Sequence, residues 1–362
     1  YEHKFRGNAG TVWDTAPADT GCLKGEEEKL VVMICGHADK IRMQVRSISD
    51  DGKIWINSDS FLPLTLLGNH VTLFSEDPAN PGNYRHLPAT VEALGAIHFA
   101  PPEVRSGKKG IAPEELYLEL GLHGTKRKEQ LGELGVRPGD TVLLDRPITR
   151  CIGGDTFSGA YLDNGLGCFV TAEVARRVAT TTPELTENVR CLFAFASHEE
   201  IGRFGSRVMA QELRPDILVA VDVNHDYDTA PQKGKERYQP LKLGEGMTLC
   251  VGAVASEDLN AQLEAAAALL GLPVQRDVRG RDTGTDGMAA VLAGVDCAAT
   301  SVGFPIRNMH TVSELGHTGD VLGCVDVLHR WLETVAANRL SAKDFKEGHP
   351  RLDHATPVAA LP

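Results

Sequence analysis

At 362 residues the chain holds two ordinary domains, or one large α/β domain with an insertion. Hydrophobic residues at 42% and charged residues at 24% supply a sizeable core and argue against gross disorder. The formal charge of −12 argues against a nucleic-acid partner, whose phosphates call for a basic surface.

Along the chain, residues 1–21 are polar with a turn at Gly7-Asn8, and Glu26–Glu28 reads as a solvated charge run. Leu30 to Gly36 is a nearly unbroken apolar run of strand length that delivers His37, as buried parallel strands do. Ile41 to Ser47 alternates, and Asp50-Asp51-Gly52 marks a hairpin turn before Ile54-Trp55-Ile56. Residues 62–147 change texture: short β-type runs are broken by Gly, Pro and Asn clusters, with one helical stretch at 126–134. This predicts a small β-rich domain inserted between two parts of a catalytic domain, 1–61 and 148–345, with a tail at 346–362.

After Arg150 the pattern is α/β. Helices are expected at 166–179, 205–213, 259–270, 286–293 (N-capped by Thr285) and 320–339. Strands are expected at 188–196, 217–221 and 298–302. The fold class is therefore α/β, a mixed sheet flanked by helices, with the inserted β domain. In such sheets sites form outside the carboxyl ends of the strands.

That is where the ligand-type residues fall. His37, Asp163, Glu200, Asp222 and His310 each follow or adjoin an apolar run. Taken singly each has a plainer reading: a satisfied histidine, an Asx-turn aspartate, a solvated acid. Asp226, Asp228 and His317 are rivals for the last two. Taken together, two imidazoles and three carboxylates suit a pair of divalent ions, zinc, cobalt or manganese, with a shared carboxylate bridge. Of the adjacent acids Glu199 and Glu200, one can bind metal while the other faces water and moves a proton. Other chemistries fit less well, because no Gly-x-Ser-x-Gly, Gly-x-x-x-x-Gly-Lys-Ser/Thr or His-Glu-x-x-His motif occurs.

Eight cysteines lack any Cys-x-x-Cys pair and lie mostly in apolar runs, as in a reducing, cytoplasmic compartment. No stretch approaches the ~20 apolar residues of a membrane span, and no signal-peptide pattern opens the chain.

The ordered set His37-x-Asp39, Asp163-Asn164, Glu199-Glu200-Ile201-Gly202, Asp222, Gly284-Thr285-Asp286 and Arg307-x-x-His310 with Glu314, together with the insertion, resembles the tetrahedral (TET) aminopeptidases. That family holds glutamyl and deblocking aminopeptidases and chains named endoglucanase. The resemblance implies that Asp163 bridges two metals, that Glu200 and His310 complete one site, and that His37 and Asp222 complete the other. It further implies Glu199 as general base and acid, Asp39 supporting His37, short peptides with a free N-terminus as substrates, and a dodecamer built from dimers. Lys40, Gly165 and His198 depart from the family's usual residues, and bear on substrate preference and metal affinity. Two other readings share these residues: a dimetal N-acyl-amino-acid deacylase or carboxypeptidase-like amidohydrolase, and an inactive peptide-binding or assembly subunit.

Overall fold

The computed structural model describes residues 2–15, 29–58, 60–93, 95–181, 185–228 and 241–346. The Glu26–Glu28 run, Cys22 and the tail beyond residue 346 lie outside them. Strands β1 (Glu2–Gly7), β2 (Gly10–Asp14) and β3 (Leu30–His37) come first. Six follow: β4 (Met43–Ile48), β5 (Ile54–Asn57), β6 (His70–Glu76), β7 (Tyr84–Glu92), β8 (Tyr117–Glu119) and β9 (Thr141–Leu144), with helix α1 (Arg127–Leu134) before the last. Two short strands, β10 (Thr149–Arg150) and β11 (Thr156–Gly159), then lead into helix α2 (Leu162–Thr181). The remainder alternates: β12 (Val189–Ala196), α3 (Phe204–Leu213), β13 (Ile217–His225), β14 (Met247–Val251), α4 (Glu257–Leu270), β15 (Val274–Val278), β16 (Ala298–Ile306), β17 (Glu314–His317) and α5 (Thr318–Ala337).

The main sheet is mixed, in the order β1-β2-β12-β3-β13-β16-β14-β15. Its centre is parallel, because β12, β3, β13 and β16 run the same way. Each is apolar on both faces, which requires cover on both sides. In β3, Val32 and Ile34 face the cluster with Val170 and Val174 of α2 and Trp331 of α5. Met33 and Cys35 face the opposite cluster, with Met209 and Ala210 of α3. The period-2 alternation of a strand thus feeds two cores.

The closed barrel is β4-β5-β8-β7-β6-β9, around Met43, Val45, Ile56, Leu73, Val91 and Val142. It draws in β4 and β5 as well as the strands between 62 and 147, because Ile54 pairs with Leu118 and Met43 with Val142. Two further details differ from the sequence expectation. β13 does not stop before Asp222 but runs on to His225, since its ladder with β16 continues through His225↔Ile306. The segment after Thr285 is one 3-10 turn, Asp286–Met288, and one short helix, Ala289–Leu292, closed by Gly294 at φ +68°. No helix among the described residues is long and apolar enough to cross a membrane. No disulfide joins the described cysteines, of which Cys35, Cys191, Cys250 and Cys324 are buried.

Candidate metal centre

Four neighbouring strands bring the sequence-predicted residues to one crevice. β3 ends on His37, and the loop after β12 carries Glu199 and Glu200. β13 pairs with β3 only as far as Ala220↔Cys35, so Asp222 stands just past the shared ladder, beside His37. The loop between β16 and β17 brings His310. Asp163 arrives at the start of α2, where it and Asn164 leave helical geometry and their peptide is cis. Asn164 fixes that start: its Nδ2 donates to the Val221 carbonyl at 2.8 Å, and its Oδ1 accepts from Gly167 N at 2.8 Å.

The resulting arrangement is two sets of donor atoms sharing one carboxylate. Asp163 Oδ1 lies 3.1 Å from His37 Nε2, and Asp163 Oδ2 lies 3.1 Å from His310 Nε2. On one side Asp222 Oδ1 is 3.6 Å from His37 Nε2; on the other Glu200 Oε2 is 3.4 Å from His310 Nε2. Within each set, His37–Asp163–Asp222 and Asp163–Glu200–His310, the donor atoms lie within 4.8 Å of one another. Glu199 completes neither set; its Oε2 stands 3.8 Å from His37 Nε2. His37, Asp163 and Asp222 are buried, whereas His310 is the most open of the five.

The donor set fits cations. Asp163 Oδ1 and Glu200 Oε1 are buried without a hydrogen-bond partner among the described residues; the 3.1 Å approach of His37 Nε2 to the former lacks hydrogen-bond alignment. Buried carboxylate oxygens left this way are costly unless a cation takes them. The electrostatics say the same. Burial pushes Glu199 well above the ordinary carboxylate range, and the Asp222 charge adds to it while His37 opposes. Hydrogen bonding to Asp163 and then Glu200 raises His310 to about 10. Burial alone would raise Asp163, but the two imidazoles outweigh it and hold the carboxyl low. This is a cluster short of positive charge.

Two carboxylates outside the donor sets hold the loops. Asp39 accepts from Glu199 N at 3.1 Å and Glu200 N at 3.2 Å. His37 Nδ1 meets the Asp39 backbone carbonyl at 3.2 Å, with the carboxylate at 3.6 Å. Glu314 was visible in the sequence only as an acid four residues after His310, without a role. It accepts from Leu162 N at 2.7 Å and Asp163 N at 3.2 Å through one oxygen, and from His310 N at 2.9 Å through the other. One buried side chain thereby sets the spacing of Asp163 and His310. The rivals are placed elsewhere: Asp226 pairs with Arg307 at 2.6 Å, and His317 caps α5 by accepting from Asp320 N at 3.3 Å.

Comparison with known proteins follows the same lines. The model of the M42 glutamyl aminopeptidase family matches residues 20–327. A lysyl aminopeptidase of Pyrococcus furiosus is 27% identical over 317 residues, covering 86% of this chain and 83% of the relative. An aminopeptidase of the archaeon Desulfurococcus kamchatkensis superposes with a TM-score of 0.77 at 21% identity, over 96% of this chain and 88% of that one. The TET1 peptidase of Pyrococcus horikoshii, which can assemble into a tetrahedron or a large octahedral shell, superposes with a TM-score of 0.70 at 20% identity, over 91% and 88%.

Proposed function

The chain belongs to the M42 glutamyl aminopeptidase family, and from that premise we propose that it removes N-terminal residues from short peptides at a two-metal centre. The observation that carries the proposal is Asp163, a single carboxylate with one oxygen beside each donor set. His37, Asp163 and Asp222 would hold one divalent ion, and Asp163, Glu200 and His310 the other; zinc, cobalt and manganese all suit such ligands. Bound there, a pair of ions supplies Lewis-acid polarisation of the peptide carbonyl and lowers the pKa of water.

The remaining work is assigned to the chain's own groups. Glu199 stands beside His37 without belonging to either donor set, so its carboxylate is the group to take the proton from the attacking water and pass it to the leaving amine. Asp39 and Glu314 keep Glu199, Glu200, Asp163 and His310 in register through backbone N–H groups. Asp222 and Glu200 would also attract the substrate's free α-ammonium, which favours cleavage from the N-terminus. The barrel is proposed as an assembly module and the flanking segments as the catalytic domain. Large apolar side chains of the inserted segment support that role, with Leu62, Leu64, Tyr84 and Phe99 all exposed.

The test is Asp163→Asn. Loss of the bridging charge should lower the content of both metals, read by elemental analysis after dialysis against zinc. Two retained equivalents per chain would remove Asp163 from the bridge.

A further inference from the structure

Between β11 and α2 the chain passes from one core to another in a single step. Ala160 and Tyr161 pack with the barrel cluster that holds Val142 and Leu144 of β9. Leu162, the next residue, is buried in the cluster that covers one face of the main sheet, and Asp163 follows it. The Tyr161 hydroxyl accepts from the Leu144 backbone N–H at 2.8 Å, which ties the side chain to the barrel. Lys40 Nζ lies 4.8 Å from the centre of the same ring. The Tyr161 carbonyl accepts from Gly165 N at 3.3 Å, so its backbone brackets Asp163 from the other direction. The loop of His310 is held in a similar way: Val312, two residues on, packs against the same barrel cluster.

The backbone of Tyr161 is also strained. Its φ of +63° lies in the left-handed region that glycine adopts freely and a bulky side chain does not. Such conformations persist where the surroundings over-determine them, and they gather at functional sites. Seven non-glycine residues have positive φ among the described residues. Arg214 and Arg339 follow the ends of α3 and α5. The others are His310 itself and Tyr161, His198, Arg203 and Asn308, each within three residues of Asp163, Glu200 or His310. Glycine at position 161 would relieve the backbone and lose the barrel contact.

We propose that Tyr161 is a positioning residue of the metal centre: anchored in the barrel by its hydroxyl and ring, it sets where the Asp163 carboxylate stands between the two donor sets. Glu314 fixes the Leu162 and Asp163 N–H groups from β17, and Tyr161 fixes the same turn from the barrel. With one anchor lost, Asp163 spends part of its time away from the shared position. The apparent affinity for both ions then falls with the fraction of chains that remain competent. The inference rests on the two-metal reading for the identity of what Asp163 holds.

The experiment measures zinc affinity of the full chain by competition with a chromophoric chelator. Visible absorption of the cobalt-loaded protein reports the ligand geometry in parallel. The unsubstituted protein is expected to bind two zinc ions; binding of none would remove the two-metal reading and this inference with it. Tyr161→Phe keeps the ring and leaves the Leu144 N–H without its acceptor. It is expected to bind both ions roughly fivefold more weakly, the order of one hydrogen bond, with altered cobalt bands. Tyr161→Gly adopts the same φ freely, lacks the ring as well, and should weaken both ions further. Val312→Ala should act on the ion of the Asp163–Glu200–His310 set alone. Val91→Ala, in the barrel core on β7, is the control for stability: it should lower the urea midpoint of the metal-free protein and leave affinities and cobalt bands unchanged. Unchanged affinities and bands in both Tyr161 variants would overturn the proposal. So would a Val91→Ala protein that reproduces their losses, because Tyr161 would then act through stability only.

Discussion

Glu199 carries the chemical burden of the proposal, and its surroundings explain why it suits proton transfer. Burial and the Asp222 charge raise its proton affinity in the metal-free protein. Positive charge nearby would bring that affinity down toward the neutral range where a group both takes and gives a proton. Glu200, one residue on, has its Oε2 beside His310. The pair is flanked by residues of positive φ, His198 at +64° and Arg203 at +60°. Glu199→Gln keeps the shape and removes the proton carrier. Turnover of a good peptide is expected to fall about 10²-fold or more, with metal content unchanged. Near-normal turnover in that variant would take Glu199 out of the mechanism. The fixing carboxylates are a lesson at the same scale. Asp39 and Glu314 act mainly through backbone N–H groups, and a sequence does not display which N–H a carboxylate will meet.

At the scale of elements, the contact of α2 with β3 and β13 sets the position of Asp163. Gly36 and Gly167 permit it: a Cβ on Gly167 would fall 2.2 Å from Asn164 Oδ1 and 2.4 Å from the Val221 carbonyl. A Cβ on Gly36 would fall 2.7 Å from the Gly167 carbonyl carbon. In an exposed helix, Gly→Ala gains up to about 1 kcal/mol. Here the clash costs about 1–3 kcal/mol and wins. Gly167→Ala should therefore lower the urea midpoint of the metal-free protein; a raised midpoint would show that the helix is free to shift. The strands that carry His37 and Glu199-Glu200 were legible, because Leu30–Gly36 and Asn188–Ala196 are apolar runs of strand length. The extension of β13 past Asp222 was not, because it depends on pairing with β16, some eighty residues away. Closure of the barrel was hidden for the same reason: the Ile41–Ser47 alternation announces a strand but not that β4 would pair with β9.

For the whole molecule, the ordered motifs identified the family, and the parallel centre of the sheet explains why motifs so far apart in sequence meet. Assembly belongs at this scale. Exposed Leu64 and Phe99, at 68% and 74% relative exposure, are costly on a lone chain in water and are natural interface anchors. Light scattering is expected to give a mass several times that of one chain, in line with a closed homo-oligomer. A monomer at working concentration would remove the assembly role from the barrel.

The central claim is tested most directly by a panel of short peptides, each with a free and an acetylated N-terminus, assayed after chelation and after zinc or cobalt is restored. A two-metal aminopeptidase releases only the first residue, only from free amines, and only with metal present. Equal or better cleavage of the acetylated peptides, or activity untouched by chelation, would contradict it.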